Sequence, residues 1–182
     1  MNILMIDTSG PACGVAIMAD GRLVYEAELT HKRTHSQRVM PMVDTALQMS
    51  DMTAADMDVF GAVVGPGSFT GVRIGVTTVK ALAHSVGARC IGVDALEALA
   101  YGACGFNGTL APMFDARRSQ VYAAAFKGGA EFNRIGDDVA APLEEFVGTL
   151  PEGEVMFMGD GADANRARIL ALRPDARFAP AH

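Results

Sequence analysis

Tryptophan is absent from this 182-residue chain, and its 15 arginines and lysines are outnumbered by 21 aspartates and glutamates. The net charge of −6 argues against a domain that grips RNA or DNA alone, because neutralising phosphates supplies most of that binding energy. It leaves room for work beside a partner that carries the positive charge. No apolar run approaches the roughly 18 residues needed to cross a bilayer. The opening Met1-Asn2-Ile3-Leu4-Met5-Ile6-Asp7 has no basic region ahead of its apolar one, so it does not read as a secretory signal. Cysteine is scarce and odd in number: Cys13, Cys90 and Cys104, without Cys-x-x-Cys spacing. These read as reduced thiols packed like small hydrophobes, and the cytoplasm is the expected location. What is abundant is apolar: half the residues are hydrophobic and 20% charged, the balance of a globular chain able to bury one medium domain or two small lobes.

Asn2–Ile6, Cys13–Met18 and Leu23–Leu29 read as three strands, joined by the turn cluster Asp7-Thr8-Ser9-Gly10-Pro11 and by Asp20-Gly21, a two-residue hairpin turn. Ser36 to Ser50 has Val39, Val43, Ala46 and Leu47 at helical spacing, with Pro41 in the opening turn or at a kink. A strand over Val59–Val64 leads into a glycine-rich segment. A helix follows from Thr70, with Val72, Val76, Val79, Ala83 and Val86 as its stripe and Gly87 as its stop. A strand (Arg89–Val93) and a helix (Ala95 to Ala103) complete this half. The pattern then restarts: Thr109–Phe114 is an apolar strand ending in Asp115, followed by a turn and the strand Gln120–Phe126, as the chain opened with a strand ending in Asp7. A helix over Pro142–Leu150, a strand over Glu154–Met158 and a helix opened by Gly159-Asp160-Gly161 follow. The repeat predicts two related lobes, 1–104 and 105–182, each a mixed sheet flanked by helices.

The segment Gly65-Pro66-Gly67-Ser68-Phe69-Thr70-Gly71-Val72-Arg73-Ile74-Gly75 offers a tight turn off a strand and a helix start capped by Ser68 or Thr70. It is not a P-loop, since no Lys-Ser/Thr follows the glycines, and it does not match G-x-G-x-x-G. Gly71 and Gly75 fall inside the helix, where each costs about 1 kcal/mol relative to alanine. Something must approach that helix face closely: a neighbouring part of the same chain, a partner helix, or a ligand. The pair His31 and His35 has metal-like spacing, but Lys32 and Arg33 lie between and no acid or thiol is near, so a polar loop is the better reading.

Asp7-Thr8, the glycine-rich segment, His35-Ser36-Gln37-Arg38 with Pro41-Met42, and Asp115-Ala116-Arg117 with Val121-Tyr122 stand in the order and spacing of one family. Over essentially its whole length the chain resembles TsaB (YeaZ), a component of the bacterial machinery for N6-threonylcarbamoyladenosine in tRNA. The resemblance implies an α/β, actin/hexokinase-like (ASKHA) fold of two ribonuclease-H-like lobes. It implies a non-catalytic subunit that binds and activates the catalytic paralogue TsaD, forms a homodimer when alone, is joined by the ATPase TsaE, and meets tRNA only through the complex. The expected partner surface is the first lobe's helices, with Val39, Met40, Met42, Val43, Gly71, Arg73, Ile74, Gly75 and Thr78. By that expectation, Gly75→Leu abolishes association while leaving the monomer folded. Family members usually continue past Ala179-Pro180-Ala181-His182, with helices that return to the first lobe, so the second lobe is expected to lack that tail.

ASKHA relatives bind ATP between lobes, and Asp7, Thr8, Asp115, Gly159 and Gly161 stand where their nucleotide-binding turns would be. The cofactor expectation is none tightly bound, with ATP or ADP and magnesium allowed at the interface of the complex. In the catalytic paralogue a His-x-x-x-His pair binds metal; here Ala95 and Leu99 occupy those places, so neither a catalytic residue nor a metal ligand is expected. Two alternatives stay open: an ATP-dependent transferase using Asp7 and Asp115 around magnesium phosphate, and, more remotely, a glycoprotease-like metallopeptidase.

Overall fold

The computed structural model describes residues 1–30 and 34–180. The chain forms two compact units, residues 1–95 and residues from Leu96 onward. In the first, β1 (Asn2–Asp7), β2 (Ala12–Ala19) and β3 (Arg22–Thr30) form an antiparallel meander, and β4 (Val59–Gly65) and β5 (Arg89–Asp94) add in parallel beside β1, giving the order β3-β2-β1-β4-β5. In the second, β6 (Thr109–Arg117), β7 (Gln120–Lys127) and β8 (Asn133–Pro142) are again an antiparallel meander. Strands β9 (Val155–Met158) and β10 (Arg177–Phe178) add in parallel beside β6, giving β8-β7-β6-β9-β10. The two orders are the same, so the duplication legible in the Asp-terminated strands is a duplication of topology.

The boundary falls earlier than the glycine cluster at 102–108 had indicated. Helix α3 (Ala95–Tyr101) belongs to the second unit, because Leu96 and Ala100 pack with Leu110, Ala124, Phe126 and Met158. Composition marks where a chain is flexible; packing decides which core a helix joins.

In the first unit one sheet face is buried. Leu4 and Ile6, and Cys13, Val15 and Ile17, alternate inward along β1 and β2, the period-2 pattern of a half-covered sheet, while β4 is buried almost throughout and gives Phe60 and Ala62 to the same core. They meet Val39, Val43 and Ala46 of α1 (Val39–Met49) and Val79 and Ala83 of α2 (Phe69–Val86). Pro41 is the third residue of α1, where its missing N–H costs no hydrogen bond, so it opens the helix and does not kink it. The turn between β2 and β3 has Asp20 and Gly21 at φ 49° and 77°, the left-handed pair that hairpin twist requires.

In the second unit Ala111, Met113, Val121, Ala123 and Phe157 pack under α4 (Leu143–Thr149), α5 (Asp160–Ala164) and α6 (Arg166–Leu172). Two strands of this sheet differ from the expected pattern. Strand β8 is an exposed edge with Gly136 at φ 78° and Asp137 and Asp138 beside it, so it shows neither apolar alternation nor β propensity, and pairing with β7 alone makes it a strand. Strand β10 has two residues, too few for any periodic signal.

The thiols divide by burial. Cys13 is buried and burial, with the charge of Asp7 nearby, pushes its pKa up; Cys90 is exposed on β5. Because thiolate is the reactive form, Cys90 is expected to label with a maleimide within minutes and Cys13 only after denaturation. Mass spectrometry of timed aliquots checks this, and prompt labelling of Cys13 in the folded protein would show that β2 does not face the core.

Candidate functional site

The site is the junction between β4 and α2, together with the turn that follows β1. Ser68 caps α2, its hydroxyl oxygen accepting from Gly71 N at 3.2 Å. The Ser68 amide donates to the carbonyl of Ser9 at 2.7 Å. Thr8, which is 1% exposed, donates its hydroxyl to the Gly71 carbonyl at 2.7 Å. Ser9 in turn gives both its backbone amide and its hydroxyl to Asp7 Oδ1, each at 2.7 Å. The turn after β1 is therefore seated in the glycine-rich junction.

Three glycines make that seat. A Cβ on Gly67 would stand 2.4 Å from the Ser9 carbonyl, one on Gly71 1.9 Å from the Thr8 carbonyl, and one on Gly75 2.5 Å from Thr8 Oγ1. Gly71, Gly75, Val79 and Ala83 form the buried face of α2. The stripe expected through Val72, Val76 and Val86 is thus rotated: Val72 and Val76 are half-buried and Val86 is exposed. What approaches the helix closely is the chain's own Thr8, not a partner helix. The expected partner role of Gly71 and Gly75 is corrected accordingly, and with it the expectation that Gly75→Leu leaves the monomer folded. Val39 and Val43 are core residues as well, 2% and 0% exposed. Apolar spacing cannot tell a helix face turned to the core from one turned to a partner, because both exclude water.

Of the remaining expected surface, Met40 and Arg73 are exposed and Met42, Ile74 and Thr78 are half-buried. The side chain that stands out is Phe69, 70% exposed with the Arg73 guanidinium stacked 3.8 Å from its ring centroid. Sequence reasoning had treated Phe69 only as part of the motif. An aromatic at the first turn of a helix whose buried face begins at Gly71 must point elsewhere, and that angular offset was the available signal.

The second unit repeats the design. Arg117 N donates to Asp115 Oδ1 at 2.8 Å, as Ser9 N does to Asp7. Gly159, at φ 92°, and Gly161 pack against the end of β6: their Cβ atoms would meet the Met113 carbonyl at 2.3 Å and Phe114 C at 2.8 Å. Asp160 Oδ1 accepts from Asp115 N at 3.2 Å. The structure thus brings Asp115, Gly159 and Gly161 together in this unit, and Asp7 and Thr8 in the other. For a nucleotide phosphate the fit is partial. Asp7 and Asp115 are exposed, whereas the Thr8 hydroxyl is committed to Gly71 and Gly161 is covered by its own chain.

Ala95 and Leu99 occupy adjacent turns of α3. Ala95 is buried, and Leu99 lines an open cleft of about 840 Å³ with Phe106, Met156, Met158, Gly159 and Asp160. These surroundings are largely apolar, and neither side chain offers a donor atom to a metal. His35 lies in a short turn over His35–Gln37 and donates from Nε2 to the Gly10 carbonyl at 3.0 Å, pinning the turn after β1 from the other side. Its expected companion in the loop reading, His31, lies outside the described residues. Among the described residues no three His, Cys, Asp or Glu side chains gather as a metal site, and no helix is long and apolar enough to cross a membrane.

Two lobes of one strand order, each with a glycine turn docked on the strand that carries its aspartate, Asp7 or Asp115, define a protein of the actin/hexokinase-like (ASKHA) class. Residues 28–159 match the family described as TsaD, tRNA N6-adenosine threonylcarbamoyltransferase. The chain is 36% identical to the tRNA threonylcarbamoyladenosine biosynthesis protein TsaB of Bacillus subtilis, over 93% of this chain and 75% of that one. It is 40% identical to the Escherichia coli TsaB over 79% of this chain and 63% of that one. A crystal structure from Pseudomonas aeruginosa, described as similar to the peptidase YeaZ, superimposes with a TM-score of 0.86 at 28% identity, covering 100% of this chain and 84% of that one. The chain belongs to the TsaB family.

Proposed function

We propose that this chain serves N6-threonylcarbamoyladenosine biosynthesis on tRNA as a non-catalytic partner subunit. It binds the catalytic paralogue TsaD through exposed side chains of α1 and α2, pairs with itself when alone, and meets TsaE on the assembled complex. The observation that carries the reading is the seated turn. The glycine-rich junction, whose helix-start amides could otherwise receive an anion, is filled here by Thr8 and Ser9 of the same chain. Ala95 and Leu99, which stand where the paralogue carries its metal-binding histidines, add support. With the junction filled, the surface left for work is the outward side of the helices, where Met40, Phe69 and Arg73 are exposed. Methionine and a stacked aromatic suit a surface that accepts more than one partner. ATP or ADP with magnesium, where it binds, is assigned to the interface of the complex, with Asp7 and Asp115 as the exposed carboxylates of each lobe.

Light scattering after size exclusion tests this directly, on the chain alone, TsaD alone, and the mixture. The expected result is a self-associated species alone that converts to a one-to-one complex on mixing. A magnesium–ATP titration of the isolated chain is expected to give no turnover. Turnover by the isolated chain, or stoichiometric zinc or iron in the purified protein, would overturn the non-catalytic assignment.

A further inference from the structure

Successive residues of the turn after β1 reach in two directions. Thr8 and Ser9 hold the start of α2, through the Thr8 hydroxyl on the Gly71 carbonyl and the Ser68 amide on the Ser9 carbonyl, each at 2.7 Å. Gly10 is held from elsewhere: its carbonyl accepts from His35 Nε2 at 3.0 Å. A carbonyl can only accept, so Nε2 carries the imidazole proton. His35 opens the short turn His35–Gln37, and Arg38, which follows that turn, is the N-cap of α1. Val39 and Val43 bury the first turns of α1 in the core. His35 is therefore mounted on a fixed element, and the turn it grips leads to α2.

The two ends of that link differ in kind. On the α2 side there is no slack, since Cβ atoms at Gly67 and Gly71 would stand 2.4 Å and 1.9 Å from the Ser9 and Thr8 carbonyls. At Gly10 side-chain packing holds nothing: a Cβ there would meet no atom within 4 Å. The bond from His35 does that work. Any shift it permits at Gly10 passes to the Ser9 carbonyl, then to the Ser68 amide, and Phe69 is the next residue along the chain.

We infer that His35 is a positioning residue for the partner surface, acting through Gly10 and Ser9 to fix the start of α2, where Phe69 and Arg73 stand outward. This rests on the assignment of that surface to TsaD proposed above. A surface already held in its binding geometry spares the cost of ordering it on association.

Three substitutions at one position test it. A Gln amide nitrogen lies as many bonds from Cβ as imidazole Nε2 and can donate to the same carbonyl; an Asn amide falls one bond short, and Leu has no donor. Two quantities are read on the full chain well below its melting temperature: hydrogen exchange of the Ser68 amide by NMR, and affinity for TsaD by calorimetry. For His35→Leu and His35→Asn, Ser68 is expected to exchange about fivefold faster, the worth of one hydrogen bond, and TsaD to bind about fivefold more weakly. His35→Gln is expected to restore both. A histidine that only stabilised the lobe would speed exchange along β1 and β4 alike and leave affinity unchanged, and that result would overturn the inference. So would wild-type exchange at Ser68 in His35→Leu, or a failure of His35→Gln to rescue. Faster exchange at Ser68, rescued by Gln, in a chain whose wild type does not bind TsaD would defeat the functional reading instead, so the two failures are distinguishable.

Discussion

Gly75→Leu and Gly71→Val are expected to destabilise the first lobe strongly, not merely to block assembly. A Cβ at Gly71 would stand 1.9 Å from the Thr8 carbonyl oxygen, a backbone atom at the end of β1, which cannot step aside without moving the strand. The hydrogen bond from Thr8 Oγ1 to the Gly71 carbonyl, buried at both ends, breaks with it. Overpacking a tight core costs about 1–3 kcal/mol, and stranding a buried hydroxyl adds about 1–3 more. Against a total stability of about 5–15 kcal/mol, a loss of about 2–6 kcal/mol removes a large share of what holds the lobe. The alanine variants grade the effect. At Gly75 the obstacle is the Thr8 hydroxyl, 2.5 Å away, a side-chain atom that can rotate, and alanine returns about 1 kcal/mol of helix propensity. Gly71→Ala is therefore expected to destabilise more than Gly75→Ala. Urea unfolding followed by circular dichroism checks the order. Wild-type midpoints for Gly71→Val and Gly75→Leu, with association alone lost, would return these glycines to a partner interface.

Phe69→Asp combined with Arg73→Glu is expected to do the reverse: to weaken association with TsaD about 100-fold, near 2.7 kcal/mol, while leaving the fold intact. Phe69 is 70% exposed and Arg73 lies over its ring, an aromatic and arginine pair of the kind that anchors interfaces. Neither side chain fills the core of the first lobe, so the melting temperature should move by no more than about 2 °C. Sedimentation or calorimetry of the mixture gives the affinity. Undiminished association would move the interface off the start of α2.

Much of the architecture was legible because it rests on local chemistry. Short apolar runs bounded by turn residues marked β1, β2, β4 and β7, Asp20-Gly21 specified its hairpin, and Ser68 and Gly87 delimited α2 within a residue or two. The duplication was visible in two apolar runs that each lead into an aspartate, because each such aspartate accepts from an amide two residues on, although β6 itself continues to Arg117. Strand β8 was not visible, since an edge strand that buries almost nothing carries no apolar pattern.

By itself, then, the sequence determined the class of fold, the family, and the place of the glycine-rich junction. The cost of two glycines inside a helix also required that something lie close against them. Only the tertiary structure decided what that was. Identity and spacing report that space is needed, but not which atoms fill it, because a partner's backbone and the chain's own Thr8 demand the same missing Cβ. The same holds for the β6–β7 hairpin: the residues of its tip are plain in the sequence, but their left-handed backbone follows from the register in which β6 and β7 pair.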